Sequence, residues 1–124
     1  MKVLLVEDDP TTRQMLSILL GRCDIACDTA EDGFQAVELW QRGDYDVILM
    51  DVQMPELDGI EATRRVRSRE KESPGRRRVT IIAMTAHLMP EDVEECRKAG
   101  MDELVPKPID LQLLLELIGK NDKG

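Results

Sequence analysis

Short apolar runs alternate along the chain with longer segments in which apolar residues recur at helical spacing. The runs predict five strands, of which the second and fifth are weaker, at 2–6, 25–30, 46–50, 79–84 and 103–105. The longer segments predict five helices near 10–21, 32–42, 59–69, 90–100 and 110–119. Apolar runs without polar alternation are typical of strands buried on both faces, which favours a parallel sheet.

The ends and inner faces of the helices follow from the same pattern. Asp9 and Pro10 suit the cap and the first position of the first helix, and Gly21, Gly43 and Gly100 suit helix ends. The residues predicted to face the core on the first, second and last helices are Met15, Leu16, Leu19 and Leu20; Phe34, Val37, Leu39 and Trp40; and Leu111, Leu114, Leu115 and Ile118.

Strands that alternate with helices predict an α/β domain whose parallel sheet is covered on both faces. Right-handed crossovers leave few strand orders, and the flavodoxin-like order 2-1-3-4-5, a three-layer sandwich, fits this length best. That order places strands one and three side by side at the centre of the sheet. Glu7 and Asp8, which follow strand one, are then expected beside Asp51, which follows strand three.

Composition limits the classes of function. The 124 residues fit one domain, and 42% apolar content supports a core although aromatic residues make up only 2%. A net charge of −8 argues against general affinity for nucleic acid or anionic membranes. We see neither a secretory signal nor a transmembrane run and expect a cytoplasmic protein, in which Cys23, Cys27 and Cys96 are reduced thiols.

The segment 64–78 departs from the acidic character of the chain. It carries eight basic residues against two acids, a local charge of +6, so the remainder of the chain carries −14. Ser73, Pro74 and Gly75 mark a loop within it. The simpler interpretation is a solvated helix end and loop, and the alternative is a docking patch for an acidic partner.

A complementary set of polar residues follows the predicted strands: Glu7 and Asp8, then Asp51, Thr85 and Lys107. Three carboxylates at one end of a sheet would repel one another unless a cation joined them. Mg²⁺ and one lysine would balance their charge, and an oxygen-only ligand set favours such a hard cation. Zinc is not favoured, because cysteine and histidine are absent from these positions.

A carboxylate beside Mg²⁺ can attack phosphorus as a nucleophile and form an aspartyl phosphate. Phosphoryl transfer depends mainly on cations and hydrogen-bond donors placed around the phosphoryl oxygens. Mg²⁺ and Lys107 would supply the cations, and the Thr85 hydroxyl would supply a donor.

At these residues the chain resembles the receiver domains of two-component response regulators, from about residue 2 to 119. The matching stretches are LLVEDD at 4–9, VILMDVQMPELDG at 47–59, IIAMTA at 81–86 and VPKPI at 105–109. The resemblance implies that Asp51 is the phosphoacceptor. It also implies that Glu7 and Asp8 form the acidic pocket, with Asp8 the more direct metal ligand, and that the Gln53 backbone carbonyl is a further ligand.

The resemblance further implies that Thr85 is the switch hydroxyl, that Lys107 pairs with the phosphate and that the Lys107–Pro108 bond is cis. It implies a single receiver domain over 1–124, with a core at 2–119 and a short polar tail at 120–124. The stretch 85–109 is most similar to receivers of hybrid histidine kinases.

The function implied is a signalling switch rather than a turnover enzyme. A histidine kinase or histidine phosphotransfer protein would donate a phosphoryl group to Asp51 in a Mg²⁺-dependent reaction. The surface of helix four, strand five and helix five would then change its affinity for a downstream protein partner, with no direct role for nucleic acid or membrane.

Two positions qualify this expectation. Leu104 lies three residues before Lys107, where the family usually has an aromatic residue whose rotation couples to the threonine; we interpret it as a core residue. His87 lies two residues after Thr85, and we hypothesise that it influences the lifetime of the aspartyl phosphate, the alternative being a solvent-facing loop histidine.

Two rival functions stay open at the level of sequence. A Mg²⁺-dependent phosphohydrolase with an aspartyl-phosphate intermediate would carry a second aspartate two residues after the nucleophile, where this chain has Gln53. A non-phosphorylated interaction module would keep the fold alone, and the intact set of acids, threonine and lysine argues against it.

Overall fold

The computed structural model describes residues 1–120, and they form one five-stranded parallel sheet with the order β2-β1-β3-β4-β5. The strands are β1 (Val3–Val6), β2 (Cys27–Ala30), β3 (Val47–Asp51), β4 (Thr80–Thr85) and β5 (Glu103–Pro106). Every residue of β1 and β3 is buried, as the uninterrupted apolar runs predict. The predicted fold class and strand order are therefore confirmed.

Five helices cover the sheet in two layers. They are α1 (Pro10–Arg22), α2 (Gly33–Arg42), α3 (Gly59–Lys71), α4 (Pro90–Ala99) and α5 (Leu111–Lys120). The cores of α2, α3 and α4 pack on one face of the sheet, and those of α1 and α5 pack on the other. None of the helices in residues 1–120 is long and apolar enough to cross a bilayer. The end of the predicted tail, 121–124, lies outside the described residues.

Two residues predicted to face the core are instead half-exposed. Met15 is exposed because α1 turns Leu16 and Leu20 toward the sheet. Phe34 is exposed because its neighbour Gly33 lies against the backbone of Leu57, where a Cβ would come within 2.3 Å of the carbonyl oxygen. A residue adjacent in a helix lies about 100° around the axis, so this close contact points Phe34 outward.

The end of α1 also differs from the prediction. Gly21 lies inside the helix, which continues to Arg22, and the chain turns at Asp24 with a φ of 63°. Aspartate tolerates this left-handed conformation better than most residues. The helix therefore ends one residue beyond the predicted end, and the left-handed residue lies three positions after Gly21.

Much of the basic segment is used within the domain. The Arg67 guanidinium is largely buried and donates to the carbonyls of Val79 and Gly100, at 2.8 and 3.0 Å, and to Glu70 and Asp102, at 2.8 and 2.9 Å. It thereby joins α3 to the start of β4 and to the α4–β5 turn. Arginine is suited to such a site because it stays charged and has five donors.

A second arginine closes the C-terminal end of α2. The Arg76 guanidinium lies 4.1 Å from the centroid of the buried Trp40 ring and donates to the carbonyl oxygens of Trp40, Gln41 and Gly43. These contacts satisfy carbonyls that the helix end leaves unpaired. Arg77 and Arg78 form further ion pairs with Asp46 and Asp102. The interpretation as a helix end and loop fits these contacts better than a free docking patch.

Gly59 brings α3 against the end of β3. Its amide donates to the carbonyl of Val52 at 3.0 Å, and a Cβ at this position would lie 2.2 Å from the carbonyl oxygen of Asp51. No side chain fits that space without a backbone shift. The first residue of α3 therefore sets how closely the helix approaches the strand that carries Asp51.

We expect Gly59→Ala to lower the free energy of unfolding by about 1–3 kcal/mol, because the added methyl group must displace backbone. Gly21→Ala is the matched control, since nothing lies within 4 Å of its Cβ position. That control should be neutral or more stable by up to about 1 kcal/mol. Urea unfolding of both variants measures the difference, and equal stabilities would contradict the close-approach argument.

Candidate functional site

Three carboxylates meet where β1 and β3 end. Asp51 is the last residue of β3, and Glu7 and Asp8 follow β1 directly. The parallel register pairs Val6 with Met50, so the two strands end side by side. One carboxylate oxygen from each of the three residues lies within 4.8 Å of the others. The juxtaposition predicted from the strand order is present.

The loop after β1, which carries Glu7 and Asp8, is held by hydrogen bonds that the sequence did not reveal. The Arg13 guanidinium donates to the carbonyl of Glu7 at 2.9 Å, and the Asp9 amide donates to the Glu7 carboxylate at 3.2 Å. The Asp9 side chain caps α1 by accepting from the Thr12 amide at 3.1 Å. Arg13 was missed because its only sequence signal is its position in the second turn of an amphipathic helix.

Lys107 reaches the same site from the end of β5. Its Nζ lies 2.8 Å from Oδ1 of Asp51 and 3.5 Å from Oε1 of Glu7. Its amide donates to the carbonyl of Thr85 at 2.9 Å, and the Lys107–Pro108 bond is cis, as expected. Asp51 is completely buried, and its Oδ2 has no hydrogen-bond partner among the described residues.

Burial dominates the electrostatics of Asp51. Desolvation, followed by the adjacent Glu7 carboxylate, raises the pKa of Asp51 to about 7, although Lys107 opposes the shift. Burial alone would lower the pKa of Lys107, but its contacts with Asp51 and Glu7 outweigh that cost and raise it. The lysine is therefore firmly charged, whereas the central carboxylate is costly to ionise without further positive charge.

A second polar group lies beside these residues. Thr85 ends β4 and is buried; its hydroxyl donates to Oε1 of Gln53 at 3.2 Å and accepts from the His87 amide at 2.9 Å. The Gln53 amide nitrogen lies 3.3 Å from Nδ1 of His87. Gln53 and His87 are exposed. The side chain of Gln53 thus has a structural contact that the sequence did not predict, and the proposed role of its backbone carbonyl stays a prediction.

The donor set fits a hard divalent cation. Three carboxylates and one ammonium leave a formal charge of −2 at the site when all are ionised. Oδ2 of Asp51 is a buried acceptor that has no donor within residues 1–120, and such groups ordinarily have a partner. Oxygen ligands are those that Mg²⁺ prefers, and no thiol or imidazole belongs to the cluster.

An acidic cluster at the carboxyl ends of a 2-1-3-4-5 sheet, with a lysine and a threonine from the neighbouring strands, defines a receiver-type α/β domain. The family model of the response regulator receiver domain matches residues 3–119. The chain belongs to this family.

Among curated relatives, the chain is 41% identical over 128 residues to hybrid signal transduction histidine kinase B of Dictyostelium discoideum. It is 32% identical over 118 residues to the sensor histidine kinase RcsC of Escherichia coli. These matches cover 97% and 95% of the chain but only 6% and 12% of the relatives. The expected similarity to receivers of hybrid histidine kinases is confirmed.

Two solved structures illustrate the structural similarity. One is the receiver domain of the Saccharomyces cerevisiae response regulator Ssk1, crystallised with the histidine phosphotransfer protein Ypd1. It is 31% identical, has a TM-score of 0.90 and is aligned over 97% of this chain and 87% of that one. The other is the receiver domain of a Pseudomonas aeruginosa sensor histidine kinase with magnesium coordinated in its active-site cleft. It is 37% identical, has a TM-score of 0.84 and covers 96% and 94% of the two chains.

The raised pKa of Asp51 predicts a pH-dependent effect of Asp51→Asn on stability. A carboxyl with a pKa of about 7 in the folded chain and about 4 unfolded favours folding at acid pH, and this contribution is lost as the pH rises through 7. In EDTA, we expect the gain in the free energy of unfolding of Asp51→Asn over wild type to be about 2–3 kcal/mol larger at pH 8 than at pH 5.

Urea unfolding at the two pH values measures this difference. Asp44→Asn is the control, because Asp44 is exposed and distant from the carboxylate cluster. If the gain in the free energy of unfolding did not depend on pH, or were equal in the control, the burial of Asp51 would not be its cause.

Proposed function

We propose that this receiver domain is a phosphoacceptor switch that takes a phosphoryl group on Asp51 from a histidine kinase or a histidine phosphotransfer protein. The observation that carries the proposal is the buried Asp51 carboxylate. One of its oxygens is held by Lys107, and the other has no partner within residues 1–120. Two further acids lie within ligand distance of a shared cation.

The residues that would hold Mg²⁺ are Glu7, Asp8 and Asp51, with Asp8 the more direct ligand, and the backbone carbonyl of Gln53. When bound, Mg²⁺ supplies positive charge that lowers the repulsion between the acids and the incoming phosphoryl oxygens. The same charge favours the ionised form of Asp51, which is the form that can act as a nucleophile.

The proposed reaction is a single phosphoryl transfer to Asp51. An oxygen of Asp51 forms the new bond to phosphorus as the bond between phosphorus and the donor imidazole breaks. Lys107, 2.8 Å from Asp51, then pairs with the phosphoryl oxygens, and the Thr85 hydroxyl donates a hydrogen bond to one of them. The domain catalyses its own phosphorylation and dephosphorylation and does not turn over an external substrate.

The response reaches the surface through the β4–α4 region. The buried side chains of α4, Cys96 and Ala99, are both small, whereas α1 and α5 each bury two large aliphatic side chains. Met89 at the start of α4 has no side-chain oxygen to cap the helix. Leu88, Met89 and Val93 are exposed there. A helix with few buried side chains is the element most readily shifted by a change at its end.

A cleft of about 460 Å³ gives this region room to rearrange. It lies between the β3–α3 loop and α4, with Thr85 and His87 in its wall. Leu104 on β5 is partly buried against the same layer, so an aliphatic side chain at that position packs as core. The proposed output surface is therefore that of α4, β5 and α5, whose affinity for a protein partner changes when Thr85 moves.

The relatives support the proposed class of phosphoryl donor and the proposed wider setting. Ypd1 is a histidine phosphotransfer protein bound to a receiver of the same fold, and the curated relatives are hybrid kinases. We therefore propose that residues 1–124 act as a single receiver domain in a cytoplasmic phosphorelay. The His87 hypothesis also stands as a proposal, because its ring contacts Gln53 beside Thr85.

We expect the chain to gain the mass of one phosphoryl group when it is incubated with acetyl phosphate and Mg²⁺. Intact-protein mass spectrometry measures the gain, and it should be absent in Asp51→Asn and in EDTA. Asp44→Asn should label like wild type. Failure of the wild-type chain to label would favour an interaction module that is not phosphorylated, and multiple turnover of a phosphomonoester would favour a phosphohydrolase.

A further inference from the structure

The hydroxyl of Thr85 already donates one hydrogen bond and accepts another in the unphosphorylated protein. Its oxygen accepts from the His87 amide at 2.9 Å, and its proton points to Oε1 of Gln53 at 3.2 Å. A hydroxyl has one proton to donate. While that proton is donated to Gln53, Thr85 cannot donate it to a phosphoryl oxygen on Asp51.

The orientation of the Gln53 amide is fixed from its other side. Its nitrogen, which only donates, lies 3.3 Å from Nδ1 of His87, and this contact leaves the oxygen facing Thr85. The backbone next to Gln53 is held by two hydrogen bonds of 3.0 Å. The Val52 amide donates to the Met84 carbonyl, and the Gly59 amide donates to the Val52 carbonyl. The side chain is therefore directed to Thr85 by its surroundings.

We propose that the Gln53 side chain is a positioning residue that latches Thr85 in the resting state and opposes the switch. This latch is distinct from the backbone carbonyl of Gln53, which we assign to metal binding. The inference rests on the proposed function, because the latch has a role only if Thr85 must release Gln53 to contact a phosphoryl group.

The latch is expected to be weak. Gln53 is exposed, so its amide exchanges the Thr85 hydroxyl for water when the latch opens. A hydrogen bond of this kind contributes little net free energy, and its loss corresponds to about a 2- to 10-fold change in an equilibrium constant. A weak latch suits a switch, because a strong one would hold Thr85 after phosphorylation.

The test compares the binding of beryllofluoride, a phosphoryl mimic that is not hydrolysed, to wild type and Gln53→Met at saturating Mg²⁺. Methionine keeps the length of the side chain and cannot accept the Thr85 proton well. We expect Gln53→Met to bind the mimic about 2- to 10-fold more tightly. Gln14→Met, at an exposed position on α1, is the matched control and should not differ from wild type.

A double-mutant cycle separates the latch from a general effect on the site. In a Thr85→Ala background, Gln53→Met should not change the affinity for the mimic, because the group it releases is gone. In metal-free wild type and Gln53→Met, NMR provides a second measurement. The resonances of the Thr85 methyl and the His87 amide should move in Gln53→Met toward their mimic-bound positions.

Unchanged affinity in Gln53→Met, or an equal gain in the Thr85→Ala background, would overturn the latch while leaving the phosphoacceptor proposal intact. Resonances that do not move toward the bound positions would also overturn it. If wild type itself fails to bind the mimic, the proposed function falls, and the latch falls with it.

Discussion

Repulsion among buried carboxylates is the constraint on which the rest of the site depends. Asp51 has no exposed surface, Glu7 is nearly as buried, and their oxygens lie within 4.8 Å of each other and of Asp8. Lys107 offsets part of this charge by direct contact at 2.8 Å. Burial, together with the neighbouring Glu7 carboxylate, raises the pKa of Asp51 to about 7, and one of its oxygens has no donor within residues 1–120. A divalent cation, and afterwards a phosphoryl group, would complete the site.

The surrounding structure keeps that unfavourable cluster in place. Gly59 lets α3 approach the carbonyl of Asp51, Arg13 fixes the loop after β1, and Lys107 is joined to Thr85 through its backbone. In the proposed function the response to phosphorylation begins at Thr85, whose hydroxyl donates to Gln53 at 3.2 Å. The three acids and Lys107 thus form the part of the site that is proposed to hold the cation and the phosphoryl group. Thr85 lies in the part next to α4, which is proposed to change.

The sequence predicted the parts of this account that depend on topology. A parallel sheet brings the carboxyl ends of β1, β3 and β5 together, so acids and a lysine at the ends of apolar runs could be placed before their contacts were known. Predictions failed where close packing decides. Phe34 points outward because Gly33 lies against Leu57, and the side chain of Gln53 takes its orientation from His87. Neither contact leaves a periodic signal in the sequence.

The most direct test of the central claim is the calorimetric titration of Mg²⁺ into the metal-free protein at pH 7, in two buffers with different ionisation enthalpies. The account predicts one Mg²⁺ bound per chain, with net release of protons as Asp51 ionises, and much weaker binding in Asp8→Asn. No uptake of Mg²⁺ by wild type, or uptake that neutralising Asp8 leaves unchanged, would contradict it.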